Sequence, residues 1–157
     1  DIGEFKTFLK ISPPLRTEED RLALVQGIKD DLIDVIVSDH LPEDVESKRL
    51  PFAQAATGAI GIETLLPLAL EMYHNESLPL NKIIETITIN PSKILKINKG
   101  SLKKGSDGDI CIFDLETPWV LNAEELKSKS KNTAIEKRKL QGKVIMTFLN
   151  GELVFSQ

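Results

Sequence analysis

The hydrophobic positions in the first quarter of the chain change their spacing twice. Residues 5–12 (FKTFLKIS) are rich in β-formers, and Pro13 and Pro14 force an extended exit from this segment. Residues 17–31 (TEEDRLALVQGIKDD) place apolar side chains at helical spacing, and residues 32–39 (LIDVIVSD) form a nearly continuous apolar run. A strand, a helix and a second strand in this order predict a βαβ unit with parallel strands.

The predicted helix carries its own start signal. Thr17 lies three residues before Asp20, which is the spacing of a capping box. Acidic residues fill the first turn, where they interact favourably with the positive end of the helix dipole. These features predict a helix of about three turns that begins near Thr17.

The middle of the chain is also helical in its pattern. Residues 60–75 (IGIETLLPLALEMYHN) predict one helix that Pro67 kinks, because proline removes a hydrogen bond from a helix interior. Residues 78–97 (LPLNKIIETITINPSKILKI) predict two short helices, with Asn90 as the cap of the second and Pro91 at its first position.

The pattern changes again near residue 100. Residues 100–121 place glycine-rich turns around an alternating strand, and residues 142–157 form two short strands around Asn150-Gly151, a strong hairpin signal. The lysine-rich stretch between them, LKSKSKNTAIEKRK, is expected to be an exposed loop. We therefore predict a first domain over residues 1–97 and a second, antiparallel β domain over residues 98–157.

Composition narrows the class of protein. The 157 residues are 41% hydrophobic and 28% charged, with 20 Lys and Arg against 24 Asp and Glu, which is typical of a soluble globular protein. This mildly acidic balance gives no reason to expect nucleic acid, and no apolar run approaches the roughly 18 residues of a membrane span. We therefore expect a cytoplasmic protein. Its single cysteine, Cys111, is expected to be a small buried strand residue.

The strongest candidate for chemistry is Asp39, at the carboxyl end of the second predicted strand. Reacting groups of α/β folds lie at that end, so its carboxylate could bind a metal or transfer a proton; a capping role is equally compatible with the spacing. His40 would point to the opposite side of the strand, which favours packing or support over co-ligation. His74 ends a predicted helix, where a helix-end or surface role is expected.

No complete catalytic constellation lies in this sequence. Two histidines and one cysteine, far apart, do not supply the three or four ligands of a zinc site. The serine-hydrolase and phosphate-loop motifs are absent. The loop AATGAIGIET has two glycines, Gly58 and Gly61, before a helix, so it is either an anion-binding loop or a plain turn.

Three segments resemble the dihydroorotases of the amidohydrolase superfamily. They are KISPPLRTEEDRLALVQGIKDDLIDVIVSDHLPEDVESKRLPFAQAATGAIGIETLLPLAL, then NPSKILKINKGSLKKGSDGDICIFDLE, and finally SKSKNTA with LQGKVIMTFLNGELVF. These segments are most similar to those of the long-chain bacterial type in its alphaproteobacterial form. The resemblance implies an α/β fold: the C-terminal part of a (β/α)8 TIM-type barrel, with strands 7 and 8 and their helices, followed by part of a small β-sandwich domain.

The resemblance also implies roles for individual residues. Asp39 matches the aspartate that ends the eighth strand, binds one of two zinc ions and transfers a proton to the ring nitrogen. The other family ligands, including a His-x-His pair, would lie upstream of this chain. Four further positions match substrate contacts of the family: Ser12, where relatives have Asn, Glu43, where they have His, Thr57, where they have Phe, and Gly58.

The implied activity is zinc-dependent interconversion of N-carbamoyl-L-aspartate and dihydroorotate in pyrimidine biosynthesis, with these 157 residues inactive by themselves. The implied partners are the N-terminal part of the barrel or a second fragment, and either a second copy or aspartate carbamoyltransferase. Two alternatives remain: a non-catalytic scaffold for aspartate carbamoyltransferase, and a related cyclic amidase such as a hydantoinase or allantoinase.

Overall fold

The computed structural model describes residues 5–75 and 77–157. Its helices are α1 (Glu18–Lys29), α2 (Val45–Arg49), α3 (Leu65–His74), α4 (Leu80–Ile87) and α5 (Ile89–Ile94). Its strands are β1 (Ile110–Val120), β2 (Lys139–Leu149) and β3 (Glu152–Ser156). Short 3-10 turns lie at Thr7–Leu9, Ile62–Thr64 and Ala123–Glu125. None of the described helices is both long enough and apolar enough to cross a membrane.

The chain forms two compact units, and each is discontinuous in sequence. Unit 1 comprises the residues up to Arg21, Ser38–Leu65 and Val120–Lys139. Unit 2 comprises Leu22–Val37, Leu66–Trp119 and Leu140–Gln157. These units divide the chain differently from a single cut after residue 97, and that domain boundary stays a prediction.

The predicted start of α1 is confirmed. The Thr17 amide donates to Asp20 Oδ2 (3.0 Å) and the Asp20 amide donates to Thr17 Oγ1 (3.2 Å), which is the reciprocal pair of a capping box. The helix runs for 12 residues, close to the three turns expected. Because all of these signals are local, the sequence alone was sufficient to predict this helix.

The two predicted parallel strands are not strands in the structure. Residues 5–12 contain the turn Thr7–Leu9, and residues 32–39 make no strand ladder. Near this second segment the Ile36 amide donates to Thr86 O (3.1 Å) and the Leu41 amide to Ala59 O (2.9 Å), which are single bonds rather than a ladder. A strand needs a neighbouring strand, and the described residues provide none here. The segment is also less buried than expected, since Val37 is 70% exposed.

Two details of the helices differ from expectation. Pro67 lies in the first turn of α3, where a missing amide proton costs no helical hydrogen bond, so the predicted position in a helix interior is wrong. The residue before α5 is Thr88, and Asn90 lies inside that helix. The Asn90 side chain donates to Asp34 O (3.0 Å), a contact distant in sequence that replaced the predicted cap.

The predicted hairpin is confirmed. The sheet has the order β1-β2-β3, and β2 pairs antiparallel with β3 from Met146↔Ser156 to Leu149↔Glu152. Asn150 and Gly151 both have positive φ (52° and 82°), as a two-residue hairpin turn requires. Cys111 on β1 is exposed, so the expectation of a buried cysteine is wrong.

An apolar cluster stabilises unit 2. It contains Ile28, Ala69, Leu78 and Ile83, all buried, with partly buried neighbours that include Val25, Ile36 and Tyr73. Unit 1 instead buries several polar side chains, among them Lys48, Asn132 and Thr133. Burial of polar groups is costly unless they are hydrogen-bonded, so their partners determine what unit 1 can do.

Candidate functional site

Asp39 is exposed and has a left-handed backbone conformation, with φ of 42°. Aspartate tolerates this region better than most residues, and such conformations concentrate at functional sites. Among the residues that the structure describes, none hydrogen-bonds to its carboxylate. A capping role would require such bonds to backbone amides, and the described residues make none.

The next residue, His40, supports the loop that follows Gly58. Its Nδ1 atom accepts hydrogen bonds from the amides of Gly61 (3.0 Å) and Ile62 (3.4 Å). Nδ1 is therefore unprotonated, and the ring proton lies on Nε2. A Cβ at Gly61 would lie 2.8 Å from Ser38 O, so this close approach requires glycine. Because the amides of Gly61 and Ile62 both donate to His40, they are not available to bind an anion.

A cleft of 620 Å³ lies beside His40. It is lined by His40, Pro42, Glu43, Asp44 and Val45 from one loop and by Ser128, Lys129 and Ser130 from another. The second loop is fixed by the Glu63 carboxylate, which accepts from the amides of Lys127 (2.9 Å) and Ser128 (3.0 Å). Both walls of the cleft therefore belong to unit 1.

Glu43 is half-buried, and both of its backbone polar groups are hydrogen-bonded. Its amide donates to Asn132 Oδ1 (3.2 Å), and its carbonyl accepts from Ser130 Oγ. Two side chains from the lysine-rich stretch thus hold the main chain at Glu43. The expectation that this stretch is simply an exposed loop is wrong, because Asn132 is only 1% exposed.

Gly58 occupies a position that only glycine fits. Its φ is 147°, and a Cβ there would lie 2.8 Å from side-chain atoms of Leu41. Its amide donates to Lys10 O (3.0 Å), and its carbonyl accepts from Lys48 Nζ (2.9 Å) and Asn132 Nδ2 (3.3 Å). Both polar backbone groups of Gly58 therefore have protein partners.

Lys48 is buried completely, with three backbone carbonyls around its ammonium group. Nζ donates to Lys10 O (3.2 Å), Ala56 O (3.0 Å) and Gly58 O (2.9 Å). Burial lowers the pKa of this ammonium group, the Glu43 carboxylate opposes that shift, and the charge of Lys10 adds to it. Three carbonyls use all three donors of a lysine.

Lys10 fixes the preceding part of the same loop. Its Nζ donates to the carbonyls of Phe52 (2.8 Å), Ala53 (3.1 Å) and Ala55 (2.7 Å). Lysine ammonium groups therefore determine the path of residues 52–58. Sequence reasoning missed Lys10, Lys48 and Asn132 because their partners are distant in the chain and no motif marks them.

The predicted site residues all lie in unit 1, but their surroundings differ. Glu43 and Gly58 are joined through Asn132. Thr57 is half-buried and makes no hydrogen bond within the described part of the chain. Ser12 is exposed and precedes a cis peptide bond to Pro13. The roles of these residues and of Asp39 stay predictions.

The described residues do not assemble a metal site. Across residues 5–75 and 77–157, no group of three or more His, Cys, Asp or Glu side chains is close enough to hold an ion. Asp39 offers one carboxylate, whereas a zinc site needs three or four protein ligands. The donor set present here does not fit a complete zinc centre.

Asp39 directly precedes His40, the first of the residues that line the cleft. The chain belongs to the amidohydrolase family, whose sequence signature matches residues 11–154. Within that family it is similar to dihydroorotases: it is 42% identical to that of Ehrlichia chaffeensis over 155 residues, 99% of this chain and 35% of the relative. It is 45% identical to that of Aquifex aeolicus over 146 residues, 93% of this chain and 34% of the relative.

The same fold occurs in a solved hydantoinase. The L-hydantoinase (dihydropyrimidinase) from Arthrobacter aurescens matches with a TM-score of 0.91 and 29% sequence identity, over 99% of this chain and 36% of that one. The chain thus spans about one third of the length of the relatives that it matches.

Proposed function

We propose that the protein containing these residues is a zinc-dependent dihydroorotase that interconverts N-carbamoyl-L-aspartate and dihydroorotate in pyrimidine biosynthesis. The observation that carries this proposal is the 42–45% identity to proteins named dihydroorotase, over almost the whole chain. Because those relatives are about three times longer, catalysis is a property of the full-length protein rather than of this portion.

The family relationship supports a (β/α)8 barrel. In the full-length protein, residues 5–12 and 32–39 would become strands 7 and 8 once neighbouring strands supply ladders. This explains why an apolar segment such as 32–39 leaves Val37 exposed here. Residues 98–157 would belong to the small β domain, and the protein would be cytoplasmic.

Asp39 is the residue that we assign to the reaction. Its carboxylate would provide one zinc ligand, and the remaining ligands would lie outside these 157 residues. Zinc, when bound, supplies Lewis-acid activation of the amide carbonyl and of the attacking water. An Asp39 oxygen would accept a proton from the water that attacks the amide and pass it to the ring nitrogen as the C–N bond breaks, a task suited to a carboxylate close to the reacting atoms.

The substrate side of the site would comprise Ser12, Glu43, Thr57 and Gly58. Dihydroorotate is an anion, so the Glu43 carboxylate would repel it unless the side chain points away. The two hydrogen bonds to the Glu43 backbone fix the main chain from which this side chain extends. Thr57 is the better candidate for direct contact, because Gly58 already uses its amide and carbonyl internally.

A second candidate is a hydantoinase-type cyclic amidase, and the TM-score of 0.91 with an L-hydantoinase favours it. Both reactions open a cyclic amide, so the chemistry would be shared. The lower identity of 29%, against 42–45% for the dihydroorotases, makes this the second choice. A scaffold for aspartate carbamoyltransferase and a homodimer remain predicted assemblies of the protein.

A substrate panel separates the two activities. The full-length protein, loaded with zinc, would be assayed with dihydroorotate, hydantoin and dihydrouracil at equal concentrations. We expect kcat/KM for dihydroorotate to exceed that for hydantoin by about 100-fold or more, because a site that pairs a substrate carboxylate rejects an analogue without one. A higher kcat/KM for hydantoin would overturn the proposal, and no turnover of any substrate would favour the scaffold.

A further inference from the structure

Two side chains from different parts of unit 1 donate to the same carbonyl. Lys48 Nζ lies 2.9 Å from Gly58 O, and Asn132 Nδ2 lies 3.3 Å from it. The amide of Gly58 is bound as well, by Lys10 O at 3.0 Å. Since every polar backbone atom of Gly58 is held, the direction of the adjoining residue is held too.

Each donor also fixes a second part of the site. Lys48 binds Ala56 O, the carbonyl that precedes Thr57. Asn132 binds Leu41 O (3.3 Å) through Nδ2 and the Glu43 amide (3.2 Å) through Oδ1. The two side chains therefore connect the loop after Asp39 to the loop around Thr57.

Burial of both side chains makes these hydrogen-bonded connections rigid. The side chains of Lys48 and Asn132 are 0% and 1% exposed, so water does not replace a lost partner easily. An ammonium group that bonds three carbonyls cannot move without leaving polar atoms unsatisfied. By contrast, Thr57 makes no hydrogen bond within the described residues, which leaves its amide and hydroxyl available.

We propose that Lys48 and Asn132 are positioning residues that hold Gly58 and thereby present Thr57 to the substrate. The inference rests on the proposed function, because the substrate is taken to be dihydroorotate. Neither side chain needs to touch the substrate; each acts through the backbone of residues 56–58. Loss of either should therefore weaken substrate binding more than the rate of the bound complex.

The test compares Lys48→Met and Asn132→Ala with Lys82→Met in the full-length enzyme. Lys82 is a matched control: its side chain is only 18% exposed and forms an ion pair with Asp31, but it belongs to unit 2. We expect KM for dihydroorotate to rise about tenfold or more in both site variants, the order of one buried hydrogen bond, with kcat within about threefold. Lys82→Met should leave KM within about twofold.

Amide hydrogen exchange tests the positioning without the reaction. In the ligand-free enzyme, exchange of residues 55–60 should be about tenfold faster in each site variant and unchanged in Lys82→Met. If Lys48→Met fails to fold, the comparison of Asn132→Ala with the wild type still tests the positioning. Saturating N-carbamoyl-aspartate should slow exchange at Thr57 in the wild type and leave the segment around Lys82 unchanged.

The outcomes separate the two proposals. A wild-type enzyme that does not turn over dihydroorotate overturns the proposed function, whereas the exchange of residues 55–60 still reports on the positioning. Unchanged KM in the site variants, an equal rise in Lys82→Met, or an absence of ligand protection at Thr57 overturns the positioning role in an active enzyme.

Discussion

Among the described residues, both units bury apolar and polar side chains, but the buried charged side chain, Lys48, belongs to unit 1. Unit 2 buries an apolar cluster around Ile83, whereas unit 1 buries Lys48 and Asn132 with backbone carbonyls as partners. Apolar contacts are non-directional and fix side-chain volume, while hydrogen bonds to a buried ammonium group fix the path of the main chain. The candidate site lies in the unit whose backbone is held in this directional way.

The largest loss of stability should come from the apolar cluster. Ile83→Ala removes a fully buried side chain and leaves a cavity, so the free energy of unfolding should fall by about 3 kcal/mol. KM for dihydroorotate should be unchanged, because no site residue lies in unit 2. Denaturation of the full-length protein, together with steady-state kinetics, would check both parts. A large KM change would contradict the separation of roles.

A smaller loss of stability, but a change in KM, should follow from Gly58→Ala. The added methyl group would meet Leu41 at 2.8 Å, and the φ of 147° is unfavourable for alanine, so we expect a cost of about 2 kcal/mol. The neighbouring Thr57 should shift, and KM should rise. Gly105→Ala is the control, because Gly105 also has positive φ but nothing lies within 4 Å of the added methyl. Equal KM values in the two variants would refute a specific role for the Gly58 backbone.

The smallest effect should come from the exposed cap of α1. Thr17→Ala removes the Thr17 hydroxyl, which donates to Asp20 Oδ2 (2.7 Å) and accepts from the Asp20 amide (3.2 Å), and should lower the melting temperature by a few degrees. Two hydrogen bonds to the Asp20 carboxylate, first from the Thr17 hydroxyl and then from the Thr17 amide, lower the pKa of Asp20 below its ordinary 3.8. Their contribution is therefore present above that value and is lost as the pH falls through the lowered pKa. The difference in melting temperature between the two proteins should narrow in acid, because the bond from the Thr17 hydroxyl to the Asp20 carboxylate weakens on protonation; a constant difference would be inconsistent with this linkage.

Local signals in the sequence predicted local structure well. The capping box of α1 and the Asn150-Gly151 hairpin were both confirmed, because each depends on residues next to one another. Asn90 was predicted as a cap but bonds to Asp34 O, 56 residues away. The segment 32–39 was predicted as a strand, but a strand also needs a neighbour, which an apolar pattern does not provide.

The site could be predicted only in part. Asp39 was singled out from its place after an apolar run and from the family resemblance, and its role stays a prediction. Asn132 was placed in an exposed loop, because its partners Leu41 and Gly58 lie 91 and 74 residues away. Lys48 was missed for a related reason: a lysine in a charged segment is usually solvated, and only the fold brings three carbonyls to it.

The most direct test of the proposed reaction is the turnover of dihydroorotate by Asp39→Asn in the full-length protein. We expect kcat to fall about 100-fold or more, as on loss of an acid-base group, with a melting temperature close to that of the wild type because the carboxylate is exposed. Asp34→Asn, another exposed aspartate five positions earlier, should keep wild-type turnover. A kcat for Asp39→Asn within about threefold of the wild type would contradict the assignment of Asp39 to the reaction.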